Sequence, residues 1–262
     1  MDTSNEKIEP RLLKGFRDYG NEEQSSRQAM FAKIQSVFEQ FGFLPLSTPV
    51  LEYKEILMGK YGDDEKLVYS FKDNGDRDVA MRYDLTVPLA RYVAQNQGSL
   101  PLPFKRYQIA PVWRADNPQK GRLREFYQCD VDVIGTDSPL SDTEVLACCA
   151  KALEALGLTN YKIRISDRAL LKDLSPDAIR ILDKVEKIGI DGMTKEMQDR
   201  GVSESEISFT KKLVSGEGVA MPERLEKVIT GLQDYNLKGV VEFDATSARG
   251  VHAYSGTVFE LR

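Results

Sequence analysis

One histidine, one tryptophan and three cysteines are all that 262 residues hold of those types. The single His252 excludes a metal cluster built on histidines and any mechanism that needs two imidazoles. Cys129, Cys148 and Cys149 have no metal-ligand spacing and no disulfide pattern, which suits a reducing cytoplasm. No apolar run reaches the ~20 residues that span a bilayer. The opening MDTSNEKIEP lacks the apolar stretch of a secretory signal, so no membrane partner is expected. Basic residues are outnumbered, 36 Lys and Arg against 41 Asp and Glu, for a net charge of −5. A nucleic-acid partner would therefore have to meet a local basic patch, because the summed field repels it. Internal repeats and low-complexity tracts are also missing.

What is present is 41% hydrophobic and 29% charged, the balance of a globular protein long enough for one large domain or a domain with an insertion. Met30, Ile34, Val37, Phe38 and Phe41 fall at helical spacing after Asn21, a plausible N-cap, and Gly42 closes a helix over 22–41. Residues 43–51 read as extended, and Pro45 and Pro49 place them at a sheet edge. Residues 67–71 and 78–83 form a hairpin about the turn 73–76. Asp84 or Thr86 then caps a helix that carries Pro88 in its first turn. Ser141 and Glu144 make a capping box for a helix over 141–156, and 161–166 is a strand. Residues 167–238 turn rich in Lys, Glu, Asp and Leu at helical periods. They read as a helical insertion between a core at 1–166 and its return strands at 239–262. The fold class is α+β, an antiparallel sheet flanked by helices, with a helical insertion.

The most informative stretch is Trp113 to Gly135. It alternates into and out of a polar turn at 116–121, a β-hairpin pattern. Arg114, Arg122 and Arg124 fall within eleven residues of it. Guanidinium groups on a rigid sheet suit a polyanion such as a nucleotide triphosphate; an exposed charged hairpin fits the same spacing. Gln128 and Asp132 lie four apart on one strand and so share a face.

These pieces resemble the catalytic domain of the histidyl-tRNA synthetases, a class II aminoacyl-tRNA synthetase family. Lys14-Gly15-Phe16-Arg17-Asp18 resembles its opening motif, and Phe41 to Glu52 its motif 1, which makes a dimer interface. Met81 to Pro88 resembles the segment that binds the amino acid's ammonium. Trp113 to Gly135 resembles motif 2 with the histidine-pocket strand, and Arg249 to Glu260 a signature of the form RGLDYYTGTVFE. The resemblance implies ATP-dependent formation of an aminoacyl-adenylate and transfer of the acyl group to tRNA. The implied partners are histidine or an analogue, ATP with Mg2+ as a substrate complex, tRNA and a second copy of the chain. No tightly held metal is implied. Arg114 would meet the α-phosphate and the substrate carboxylate, Asp116 the adenine amine, and Arg122 the β- and γ-phosphates. Arg249 would lie beside the α-phosphate. Asp84 and Thr86 would hold the ammonium, or only cap the helix. Gln128 and Asp132 would divide the α-amino group and the side chain between them, and Tyr254 would line the imidazole pocket.

Two departures qualify that reading. After Arg249-Gly250 the chain has Val251, His252 and Ala253 where the signature has Leu, Asp and Tyr. An anion becomes an imidazole and a ring is lost, which fits altered recognition, natural or redesigned, as well as it fits drift among compensated positions. Histidine is expected to bind poorly. The chain also ends at Arg262, before the glycine-rich segment, motif 3 and anticodon-binding domain that the family carries. The expectation is a truncated or redesigned catalytic core with weak or no adenylation. The alternative is a non-catalytic paralogue, such as the histidine-sensing regulatory subunit of ATP phosphoribosyltransferase.

Overall fold

The structure, a computed structural model, describes residues 8–60, 62–247 and 255–262, without the side chains of 62–64 and 238. It divides into two compact units, Met1–Thr136 and Asp137–Arg262.

The first unit opens with helix α1, Asn21–Gln40, whose buried stripe is Ile34, Val37 and Phe38. Gly20 occupies the N-cap position without a side-chain bond, so Asn21 is the first helical residue and not the cap. Gly42 at φ +77° turns the chain out of the helix, a conformation that costs glycine little. Strands β1 (Leu44–Pro45) and β2 (Leu51–Tyr53) follow, then the short helix α2 (Lys54–Leu57). The expected strand at 67–71 is displaced. A 3-10 helix covers Gly62–Leu67, and strand β3 is Ser70–Lys72, paired with β4 (Asp78–Met81). Helix α3 (Thr86–Asn96) and the long hairpin β5 (Phe104–Trp113) and β6 (Glu125–Ile134) complete the unit. The strands form two three-stranded sheets, β1-β5-β6 and β2-β4-β3. Both proline-flanked strands, β1 and β2, lie at an edge, where a missing N–H breaks no ladder.

The second unit starts with helix α4, Pro139–Ala155. Its cap is Ser138, which accepts from the Leu140 N–H at 3.3 Å, and not Ser141. Proline's fixed φ and absent N–H suit the first helical position, so Pro139 starts the helix earlier. The Ser141 hydroxyl then donates to the Ser138 carbonyl at 2.7 Å. Strand β7 (Ile163–Asp167) is the centre of a third sheet. Between β7 and β8 (Val241–Phe243) run helices α5 (Pro176–Leu182), α6 (Val185–Asp199), α7 (Glu204–Ser215) and α8 (Glu223–Gly231). Strand β9 (Thr257–Leu261) pairs antiparallel with β7 on its other side. Helices α5, α6 and α7 share a core of Ile181, Leu182, Met193, Met197 and Ile207 with Leu171 before them. Helix α8 is fastened to α4. Arg224 pairs with Asp142 at 2.8 Å, and the Thr257 hydroxyl donates to the same carboxylate at 3.0 Å.

Candidate active site

The site is built on the β5–β6 hairpin, whose register runs from Phe104↔Ile134 to Trp113↔Glu125. Alternate residues of a strand face opposite sides. Tyr107 and Tyr127 therefore share one face, which packs on α1. The Tyr107 ring lies 5.7 Å from Phe38, Tyr127 stacks on Phe31 at 4.9 Å, and the Tyr107 hydroxyl donates to Glu39 at 2.9 Å. Burial, then that carboxylate, push the Tyr107 phenol up to about 12. The opposite face carries Arg106, Gln108 and Ala110 on β5, opposite Asp132, Asp130 and Gln128 on β6. One helix thus uses up the apolar face, and the polar face is what the hairpin presents.

Arg106 is completely buried, and its Nη2 lies 2.6 Å from Asp132 Oδ2. The contact is off the line of a hydrogen bond, and Asp132 Oδ2, Arg106 Nε and Arg106 Nη1 have no hydrogen-bond partner among the described residues. Gln128 Oε1, also buried, has none either. Burial pushes the Asp132 carboxyl up, opposed by Arg106. Burial, then Asp132, push Asp130 up to about 6, against the pull of Arg106 and Arg114. Between the ordinary carboxylate value near 4 and that value, the folded chain holds a proton the unfolded chain has lost. Stability therefore falls as pH rises through this window. Asp130→Asn should raise stability at pH 7.5 by an amount on the order of 1–2 kcal/mol, allowing for partial exposure. In urea melts run from pH 4 to 8, the gain should vanish at the acid end.

Asp84 stands at the start of α3, where its Oδ1 accepts from the N–H groups of Thr86 (3.1 Å) and Val87 (3.0 Å). Leu85 holds the N-cap position, so Asp84, one residue before it, supplies a capping carboxylate from outside the helix, and Thr86 is the first helical residue and exposed. The cap engages only Oδ1, and Asp84 acts electrostatically on Arg106, Asp130 and Asp132. Arg114 follows the end of β5. Its Nε donates to the Tyr83 carbonyl at 3.2 Å, and its guanidinium lies over the rings of Tyr83 (4.3 Å) and Phe126 (5.0 Å). Two ring contacts and one donor thus hold the cation in place.

The loop between the strands pairs two of the expected ligand-binding residues with each other. Arg122 Nε and Nη2 lie 3.1 Å and 2.9 Å from Asp116 Oδ2. Arg124, one of the three arginines whose spacing suits a polyanion, instead fastens this loop. Its Nε donates to the Asp116 carbonyl at 2.9 Å and its Nη1 to the Lys14 carbonyl at 3.2 Å. Its own N–H donates to the Gly15 carbonyl at 2.8 Å. Gly15 has φ +87°, and a Cβ there would lie 2.8 Å from Arg124 Cγ and Cδ. Gly15→Ala should therefore cost about 1–3 kcal/mol through strain and displacement of Arg124. Limited proteolysis should then cut the 116–121 loop faster.

Sequence reasoning missed Arg106 and Asp130; strand alternation could have flagged Asp130, which lies midway between Gln128 and Asp132. Arg249, Val251, His252, Ala253 and Tyr254 lie outside the described residues. Among the described residues no group of His, Cys, Asp and Glu could hold a metal ion. In that same set no helix is long and apolar enough to cross a membrane. A hollow of about 180 Å³ in the second unit, lined by Glu186, Asp244, Glu260 and Arg262 among others, holds none of the residues above. Its charges meet one another instead, with Arg262 2.8 Å from Glu186 and 3.2 Å from Glu260.

Residues 15–261 match the family model for histidyl-tRNA synthetase. The histidine–tRNA ligase of Treponema denticola is 40% identical over 287 residues, covering 97% of this chain and 63% of that protein. That of Aeropyrum pernix is 37% identical, covering 96% and 64%. The crystal structure of histidyl-tRNA synthetase from Nostoc sp. PCC 7120 superposes with a TM-score of 0.83 at 29% identity, covering 97% of this chain and 65% of that one. An ATP phosphoribosyltransferase regulatory subunit/histidyl-tRNA synthetase from Bacillus halodurans superposes with a TM-score of 0.82 at 24% identity, over 97% and 73% of the two chains, a likeness of fold. The chain spans somewhat under two thirds of the length of these two ligases.

Proposed function

Because the chain belongs to the histidyl-tRNA synthetase family, we propose that it is the part of a histidine–tRNA ligase catalytic domain that binds the amino acid and the α-phosphate of ATP. The observation that carries this reading is the placement of Arg114. A cation in contact with two aromatic rings follows the end of β5 and acts electrostatically on Asp130, on the strand that carries Gln128 and Asp132. In the proposed first step, a carboxylate oxygen of the amino acid attacks the α-phosphorus. The bond to the bridging oxygen breaks, and pyrophosphate leaves with Mg2+. Negative charge builds on the α-phosphate oxygens in the transition state, and a prefixed guanidinium there lowers the barrier without having to reorganise. Arg114 supplies that charge, joined by Arg249. Asp84, with its uncapped oxygen, and Thr86 receive the ammonium. Gln128 and Asp132 meet the rest of the amino acid. Arg122 leaves Asp116 for the β- and γ-phosphates, and Asp116 turns to the adenine amine. A hydroxyl at the 3′ end of tRNA then attacks the acyl carbon of the adenylate, an ester forms, and AMP leaves as the mixed-anhydride bond breaks.

A homodimer belongs to the same reading. Leu44, Leu51, Tyr53 and Phe71 are exposed on the short strands β1 to β3, and such apolar residues on edge strands favour cover by a second copy. The test is histidine-dependent exchange of labelled pyrophosphate into ATP, measured on the chain within its full gene product. Exchange supports the ligase. Saturable histidine binding without exchange would favour a histidine-sensing regulatory subunit instead. The absence of both would remove the histidine reading.

A further inference from the structure

Three carboxylates, Asp84, Asp130 and Asp132, and two guanidinium groups, Arg106 and Arg114, act on one another around the polar face of the β5–β6 hairpin. That leaves one negative charge unmatched among the described residues. A zwitterionic amino acid adds no net charge, so its binding leaves the excess in place. An amino acid with a cationic side chain cancels it, and in a partly buried site that cancellation is strongly favoured. The face is short of donors as well as of positive charge. Gln128 Oε1 and Asp132 Oδ2 are buried acceptors without a hydrogen bond, and none of the influences on Asp130 is a hydrogen bond. Arg106 has two unpartnered nitrogens, but the group is wholly buried and already set against Asp132 and the Leu85 carbonyl.

Resting on the amino-acid site proposed above, we infer that Asp130 is a second side-chain-recognising carboxylate, and that with Asp132 it selects the imidazolium form of the ligand. Neutral imidazole offers one N–H donor and one acceptor, whereas imidazolium offers two donors. Residues two apart on a strand sit about 7 Å from each other on one face. A five-membered ring with a donor on each side can bridge carboxylates held that way. Asp132 alone would serve a neutral ring; the pair requires the charged one. Asp84 and Arg114 remain for the ammonium and the carboxylate, and the charges then balance.

The test uses the full 262-residue chain with labelled L-histidine at pH 7.5, where the free imidazole is mostly neutral. Equilibrium dialysis gives the affinity. Calorimetry in buffers of different ionisation heat counts the protons. About one proton should be taken up per histidine bound. Asp130→Asn should abolish the uptake and weaken binding about tenfold or more, and methylation of either ring nitrogen should do the same. Asp130→Asn should not lower the urea midpoint at pH 7.5. A lowered midpoint would mean that Asp130 only balances Arg106, and would overturn the inference. Saturable histidine binding with no proton uptake, or with unchanged affinity in Asp130→Asn, overturns the inference and leaves the amino-acid site standing. No saturable binding at all overturns both.

Discussion

Arg106→Met is expected to lower the stability of the chain by about 3–5 kcal/mol, the cost of stranding a buried partner charge. Arg106 is the largest of the completely buried side chains. Its removal leaves Asp132 and Asp130 with no cation on the buried side of the hairpin, and burial already penalises both carboxylates. The effect should depend on pH in a definite sense. Protonating the stranded carboxylates relieves the penalty, so the deficit should shrink as pH falls from 7.5 towards 5. Asp132→Asn in the Arg106→Met background should recover a large part of the loss, because it removes the charge that had lost its partner. Urea denaturation of the natural chain, both single variants and the double variant closes that cycle. Equal losses at pH 5 and pH 7.5 would show that Arg106 acts through packing alone. A double variant no more stable than Arg106→Met would show that the pair is not coupled.

The second large effect belongs to the reaction. Arg114→Ala should lower histidine-dependent pyrophosphate exchange by about 10²–10³-fold, the usual cost of removing one fixed group that meets developing charge. The loss should fall on kcat more than on KM for ATP, because the charge that Arg114 meets is largest in the transition state. Arg114→Lys should rescue little. The guanidinium is held by contacts with the Tyr83 and Phe126 rings and by the Tyr83 carbonyl, and an ammonium reproduces neither the ring contacts nor the planar fork of donors. The residue is half-buried, and its role in the fold is slight. Urea midpoints should therefore stay within about 1 kcal/mol of the natural chain. An equal fall in exchange and in stability would assign Arg114 to the scaffold. Unchanged exchange would remove it from the reaction.

The Asp116–Arg122 pair bears on how ATP enters. These residues were expected to reach opposite ends of the nucleotide, yet without a ligand each is the other's partner at 2.9 Å. An exposed pair of this kind is worth little, so exchanging it for phosphate contacts costs little. Arg124 and Gly15 keep the loop's base in place while its tip changes partners.

Much of this was legible in the sequence because strands and helices announce themselves by period. Alternation after the polar turn at 116–121 marked the hairpin's return strand and put Gln128 and Asp132 on one face, and the period of 3.6 marked α1. Where the reading slipped, neighbours outweighed local signals. Pro139 moved the start of α4 from Ser141 back to Ser138, and a 3-10 turn took Leu67 out of its expected strand. The order of the motifs from Lys14-Gly15 to Thr257-Val258-Phe259-Glu260 was enough to identify the family. Which charges meet was a different matter. The pairing of Arg106 with Asp132, the electrostatic reach of four other charges to Asp130 and the grip of Arg124 on Gly15 are interactions made across the fold. A charged side chain's partner and its distance from water depend on elements remote in sequence, and no local pattern encodes them. The sequence by itself determined which face of the hairpin is polar; the tertiary structure alone decided that Arg106 is buried against Asp132 on that face, because only packing determines which charges share a low-dielectric space.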